Sequence, residues 1–255
     1  MAAEKSLISI AAPTFLENAL SEPAKEIGHS LANIFHIIFS PINYPVEKFR
    51  IKQAANLKKY EEDIQTELSK VAEEKLIEPK LSIVGPALEA SKFYIDENEL
   101  RKMFAKIIAS SMDSDKESSV HPSFVEVIKQ MSTLDAQNLK LIYGKSALPI
   151  ARFRLVHSNS SSSAVLYDLV FLSNEDQDNL DLNAASLTNL NRLGLININY
   201  DRPLFDKSFY EVFSEYPIFK SLIEQISIKE DQDLKIEKGY VDITPLGRQF
   251  SSICL

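Results

Sequence analysis

Tryptophan is absent from the 255-residue chain, and cysteine occurs once, at Cys254. A single thiol excludes an internal disulfide. With four scattered histidines (His29, His36, His121, His157) it also offers no standard zinc spacing. That usage suits a reducing compartment, so a cytoplasmic location is expected. Glycine is scarce, at 6 residues, which argues against a turn-rich all-β fold and for helices. No run approaches the ~18–20 apolar residues of a membrane span. The apolar stretch near the N-terminus is too short for a signal-peptide core, and Pro13 interrupts it. The patterns G-x-S-x-G, H-E-x-x-H, G-x-x-x-x-G-K-[ST] and G-x-G-x-x-G are all missing. These build nucleophile elbows, zinc-protease helices and phosphate cradles. The expectation is a protein that is not an enzyme and carries no metal and no cofactor.

What is present is ordinary for a globular protein: 45% hydrophobic and 25% charged residues. A chain of this length buries roughly three quarters of its unfolded surface, enough for a core without staples. The formal net charge is -8. That balance disfavours nucleic acid, whose partners carry a basic field.

Helical periodicity dominates the first half. Ile27, Leu31, Ile34, Phe35 and Ile38 form the stripe of a one-sided helix over 24–40, stopped by Pro41 and Pro45. Residues 46 to about 76 predict one long polar helix, with Leu57, Tyr60, Ile64, Leu68 and Val71 as a narrow seam. A short apolar helix over 82–95 is expected to open near Pro86. Asp96 with Glu99 reads as a capping box for a helix burying Leu100, Met103, Phe104, Ile107 and Ile108. Pro122 suits the first turn of a helix with Phe124, Val125, Ile128 and Met131 inward. Ser132 and Asp135 open another, carrying Leu134, Leu139 and Ile142.

The texture changes after Gly144. Residues 150–156 and 164–172 read as strands of a hairpin across a serine-rich loop, followed by an acidic loop, NEDQDNLDLN. ASLTNLNRLGLI is a short helix capped by Gly194, and INI a strand. A helical insert is expected over 205–228, then an EDQD loop, a YVDI strand and a last helix capped by Thr244-Pro245. The fold expected is mainly α with a C-terminal α+β part. An all-helical bundle over 1–145 precedes a winged-helix-like module over 146–255.

Two stretches are candidates for interaction. In a winged-helix module the short helix can enter a DNA groove. Its outward positions here are Thr188, Asn191 and Arg192, with Asp181, Asp201 and Asp206 close in sequence. One cation among acids reads poorly as a groove reader, so protein contact is the preferred use. The basic run Lys48, Arg50, Lys52, Lys58 and Lys59 follows the most apolar helix. Residues 24–59 could therefore form a membrane-surface element. A core helix followed by a solvated face is preferred. His29 and His36 are seven apart, not the four of a helical metal pair. His121, ahead of Pro122, invites a local hydrogen bond.

Three blocks in order, EPKLSIVGPALEASKFY (78–94), ELRKMFAKIIASSMD (99–113) and VHPSFVEVIKQMSTLDA (120–136), resemble the abortive-infection alpha family. NLNRLGLI (189–196) and TPLGRQFSSIC (244–254) are similar to that family's closing motifs. The resemblance covers roughly residues 45–255 and implies a bacterial protein of antiphage defence. It brings no catalytic residues. Within the blocks, Gly85 and Ala87 are expected to let helices approach closely. Glu89, Arg101, Asp113 and His121 are expected in salt bridges, caps or a recognition surface. The partner expected is a protein or a second copy, with a DNA-binding regulator and a membrane-active effector as the alternatives.

Overall fold

A computed structural model of the chain describes residues 13–39, 47–145, 147–157, 163–175, 178–226 and 231–255, with the backbone alone for 47–51. The chain is mainly helical with a C-terminal four-stranded antiparallel sheet. It divides into two compact units. One runs through Thr133 and takes in Ser252–Leu255; the other is Leu134–Ser251.

The first unit holds α1 (Glu22–Phe39), α2 (Glu47–Leu68), α3 (Leu81–Ser91), α4 (Asn98–Ser111) and α5 (Ser123–Lys129). Of the α1 stripe, Ile27, Leu31 and Phe35 are buried and Ile34 and Ile38 are half-buried; Phe39 beyond it is buried, while Ile37 faces water. Phe35 and Phe39 pack against Tyr60 of α2, with ring centroids 6.1 and 6.2 Å away. The α2 seam is likewise buried at Leu57, Tyr60, Ile64 and Leu68. Each such side chain contributes about 1.5–3 kcal/mol relative to exposure.

The long helix expected to about residue 76 ends at Leu68. Ser69 Oγ donates to Thr66 O at 2.8 Å, and the next amides tighten to i−3 carbonyls. A hydroxyl competing for backbone groups in this way favours termination. A separate 3-10 turn follows at Glu73–Lys75. The α3 helix starts at Leu81 and carries Pro86 inside it, not at its opening. The expected capping box at Asp96 does not form. Glu97 holds the N-cap position without a side-chain cap bond, and Asp96 instead lies 3.9 Å from Lys52. Gly85 is not a site of close helix approach: a Cβ there would meet only Leu81 of its own helix, at 3.5 Å. The crowded glycine of this unit is Gly28, where a Cβ would fall 2.1 Å from Phe15 O.

The second unit holds most of α6 (Thr133–Tyr143), then β1 (Ala147–His157), β2 (Ser163–Val170), α7 (Leu180–Arg192), β3 (Ile196–Asn199), α8 (Glu211–Glu215), α9 (Pro217–Ile226), β4 (Gln232–Ile243) and the start of α10 (Pro245–Cys254). Strand order is β2-β1-β4-β3. The β1–β2 hairpin forms as expected, with irregular register around Phe153. β4 is far longer than YVDI. It pairs with β1 from Ala147↔Asp242 to His157↔Gln232. The acidic loop is shorter than expected, because Asn179 Oδ1 accepts from Leu182 N at 3.1 Å and starts α7 at Leu180.

The end of α7 follows the sequence closely. Gly194 has φ +73°, and its N–H donates to Asn191 O at 2.9 Å. Leu195 N–H reaches Leu190 O at 3.0 Å. The pair of bonds is a Schellman motif, which needs a left-handed residue at the glycine position. Thr244 caps α10, its Oγ1 accepting from Gly247 N at 2.8 Å. Phe213 and Phe219 of the insert pack with Ala151, Phe153 and Val170 into one core, so the insert roofs one face of the sheet.

Candidate functional site

The polar members of the shared blocks are in structural use. Arg101, 6% exposed, is held by Asp63 Oδ2 at 2.7 Å, Asn98 Oδ1 at 2.9 Å and Ile95 O at 3.2 Å. Asp113 accepts from Asp115 N at 3.0 Å, in the turn after α4. His121 Nδ1 lies 2.6 Å from Ser123 Oγ and accepts from Ser123 N at 3.1 Å, the local bond its position invited. Glu89 is exposed and paired with Lys92 at 2.7 Å. Burial and the neighbouring Asp63 push the Tyr60 phenol up.

Two further networks were not legible in the sequence. Asn138 of α6 donates to Asn183 Oδ1 (3.2 Å) and Ser186 Oγ (3.0 Å) of α7, and accepts from Asn174 Nδ2 (2.7 Å). These amides are buried, so their mutual bonds fix the α6–α7 packing. On the sheet, the Arg152 guanidinium lies 3.7 Å above the Tyr200 ring and pairs with Asp168 at 2.6 Å and Glu237 at 3.5 Å. Partial burial pulls Arg152 down, but Asp168 outweighs it and the pKa rises. Burial, reinforced by the charge of Asp168, pushes Tyr200 up. Both groups keep their resting protonation near neutral pH, so the cluster acts as a brace.

Thr188, Asn191 and Arg192 are exposed together on α7, as expected. Arg192 is engaged locally: its Nη2 donates to Asn189 Oδ1 at 2.7 Å, and Asn189 in turn donates to Asp135 at 3.0 Å. Lys52, Lys58 and Lys59 are exposed on α2, whereas Ile27, Leu31, Phe35 and Phe39 on the apolar face of α1 are buried. That face is covered by protein and is not offered to acyl chains. The side chains of Lys48 and Arg50 lie outside the described residues. No helix among the described residues is long and apolar enough to cross a membrane.

The most unusual surface is on the insert. Phe205 is 103% exposed, Phe209 51% and Val212 49%. Large apolar groups concentrated on one short segment are informative where a lone exposed leucine is not. The loop presenting them is held firmly. Leu204 N donates to Tyr210 Oη at 2.9 Å, and Tyr210 Oη donates to Gly239 O at 2.8 Å. Asp206 Oδ1 caps the next turn, accepting from Ser208 N at 2.9 Å and Ser208 Oγ at 2.7 Å. Phe205 is thus fixed between an inward-facing Leu204 and a capping aspartate. The insert expected over 205–228 contains Phe205, Phe209 and Val212, but local pattern does not separate its inward from its outward positions.

The model of the family described as abortive infection alpha matches residues 52–254. The chain belongs to the abortive infection alpha family. No curated protein and no solved structure matches it significantly. The matched span starts within α2 and includes the Arg101 cluster, the asparagine network and the insert. Helix α1 precedes it.

Proposed function

We propose that this protein is a bacterial antiphage factor of the abortive-infection kind, working in the cytoplasm by contact with protein and not by catalysis. The observation that carries the proposal is membership of the abortive infection alpha family across 52–254. The contact mode is supported by the insert, where a braced loop holds Phe205, Phe209 and Val212 in solvent. Pre-organised aromatic side chains are the usual anchors of protein interfaces, because they bury much area at little entropic cost. The first unit is read as a helical bundle that scaffolds this contact. The second is read as a winged-helix-like module adapted to protein recognition, on the order helix, hairpin, helix, strand, strand, helix. The DNA reading has less support, since the outward face of α7 offers Arg192 alone as a cation and that group is tied to Asn189. The membrane reading loses the apolar face of α1 to the protein core.

The test is a challenge of matched bacteria, with and without the gene, using a broad phage panel. Fewer plaques together with arrest or death of infected cells are expected. Equal plaque counts and equal survival across the panel reject the proposal.

A further inference from the structure

We infer that the partner seated on the insert is a second copy of this chain, in a two-fold dimer centred on Phe205. The inference rests on the protein-contact reading and names its occupant. A two-fold interface joins one patch to itself, so the patch must be self-complementary: apolar at its centre and carrying both signs of charge at its rim. The insert meets both conditions. Phe205 and Phe209, 103% and 51% exposed, leave about 300 Å² of aromatic surface in solvent, taking ~200 Å² for a whole phenylalanine. A standard interface buries ~800 Å² per partner, about two thirds of it apolar in homodimers. The two rings supply more than half of that apolar share, and Val212 adds to it.

The rim alternates in sign. Asp201 and Arg202 stand before Phe205, Lys207 after it, and Glu211 just before Val212, all exposed, while the exposed Asp206 between Phe205 and Lys207 is taken up by its bonds to Ser208. Among the described residues none of the other four has an ion-pair partner within the chain. A two-fold pairing gives the cations of each copy, Arg202 and Lys207, the exposed carboxylates Asp201 and Glu211 of the other as opposite charges in the rim. A partner of uniform charge would find half of this rim repulsive.

The whole 255-residue chain is examined by sedimentation equilibrium over a wide concentration range. The wild type is expected to form dimers, and Phe205→Asp to remain monomeric with unchanged circular dichroism. Two rim variants, Arg202→Glu/Lys207→Glu and Asp201→Lys/Glu211→Lys, are expected to be monomeric alone and to dimerise when mixed. A wild type that stays monomeric throughout overturns the inference, as does a dimer that persists in Phe205→Asp. The protein-contact reading is judged separately, by phage protection in cells. If the wild type is monomeric while Phe205→Asp abolishes protection, the self-pairing falls and a different protein occupies the patch.

Discussion

Replacing Arg101 by methionine isolates the most connected charge in the first unit. The guanidinium is 6% exposed and donates to Asp63, Asn98 and Ile95. Methionine keeps much of the buried stem but removes every donor. Asp63 then loses its partner, with its side chain only 21% exposed, and Ile95 O loses a donor. Breaking a buried pair from one side costs about 3–5 kcal/mol, because the remaining charge is stranded in a medium that solvates it poorly. Water reaches Asp63 in part, so the expected loss is about 3 kcal/mol, at the low end of that range. The pair as a whole is worth less. Arg101→Met combined with Asp63→Leu should recover part of the loss, since no charge is then left unpaired. Urea unfolding followed by circular dichroism reads both variants, with hydrogen exchange of the α4 amides assigning the loss to this unit. A loss below about 1 kcal/mol in Arg101→Met would refute the reasoning, because it would mean the site is solvated like a surface pair.

Other perturbations follow from local geometry. Gly247→Ala puts a Cβ 1.9 Å from Leu195 O and 2.8 Å from Ile243 Cγ1, so α10 must move off its cap. A loss of about 2–3 kcal/mol in thermal or urea unfolding is expected, despite alanine's better helix propensity. Glu73 accepts from Leu20 N (2.7 Å) and Ser21 N (2.9 Å), and these N–H groups hold its carboxyl below the ordinary value of 4.5. A depressed carboxyl contributes stability above its unfolded pKa and loses it as pH falls through the lower folded value. Protection of the Leu20 and Ser21 amides against hydrogen exchange, corrected for intrinsic rates, should therefore drop in acid. Glu73→Gln should flatten that dependence.

What the sequence made legible was set by near neighbours along the chain. The stripe of α4 places Leu100, Phe104 and Ile107 inside because three- and four-residue spacing fixes one face. Gly194 reads as a cap because only glycine takes its left-handed angle cheaply. Thr244-Pro245 reads as a helix start because both residues act within one turn. What stayed hidden depends on partners distant in sequence. The first half of β4 shows Leu234 and Ile236 alternating with charge, and its pairing with β1 makes it a strand. Gly28 and Gly247 are required by Phe15 O and Leu195 O, which no local pattern announces. Capping by Asp96 was expected from spacing alone, whereas the chain turns into α4 one residue later, at Glu97. On the insert, Phe213 and Phe205 look alike in sequence. Only the sheet beneath decides that the first is buried and the second faces water.

The central claim, that this family member acts through the surface of its insert, is met most directly by plaque counts on cells producing equal amounts of wild type or Phe205→Asp. The account predicts protection by the wild type and its loss in the variant, with the variant folded and equally abundant. Full protection by Phe205→Asp would contradict it.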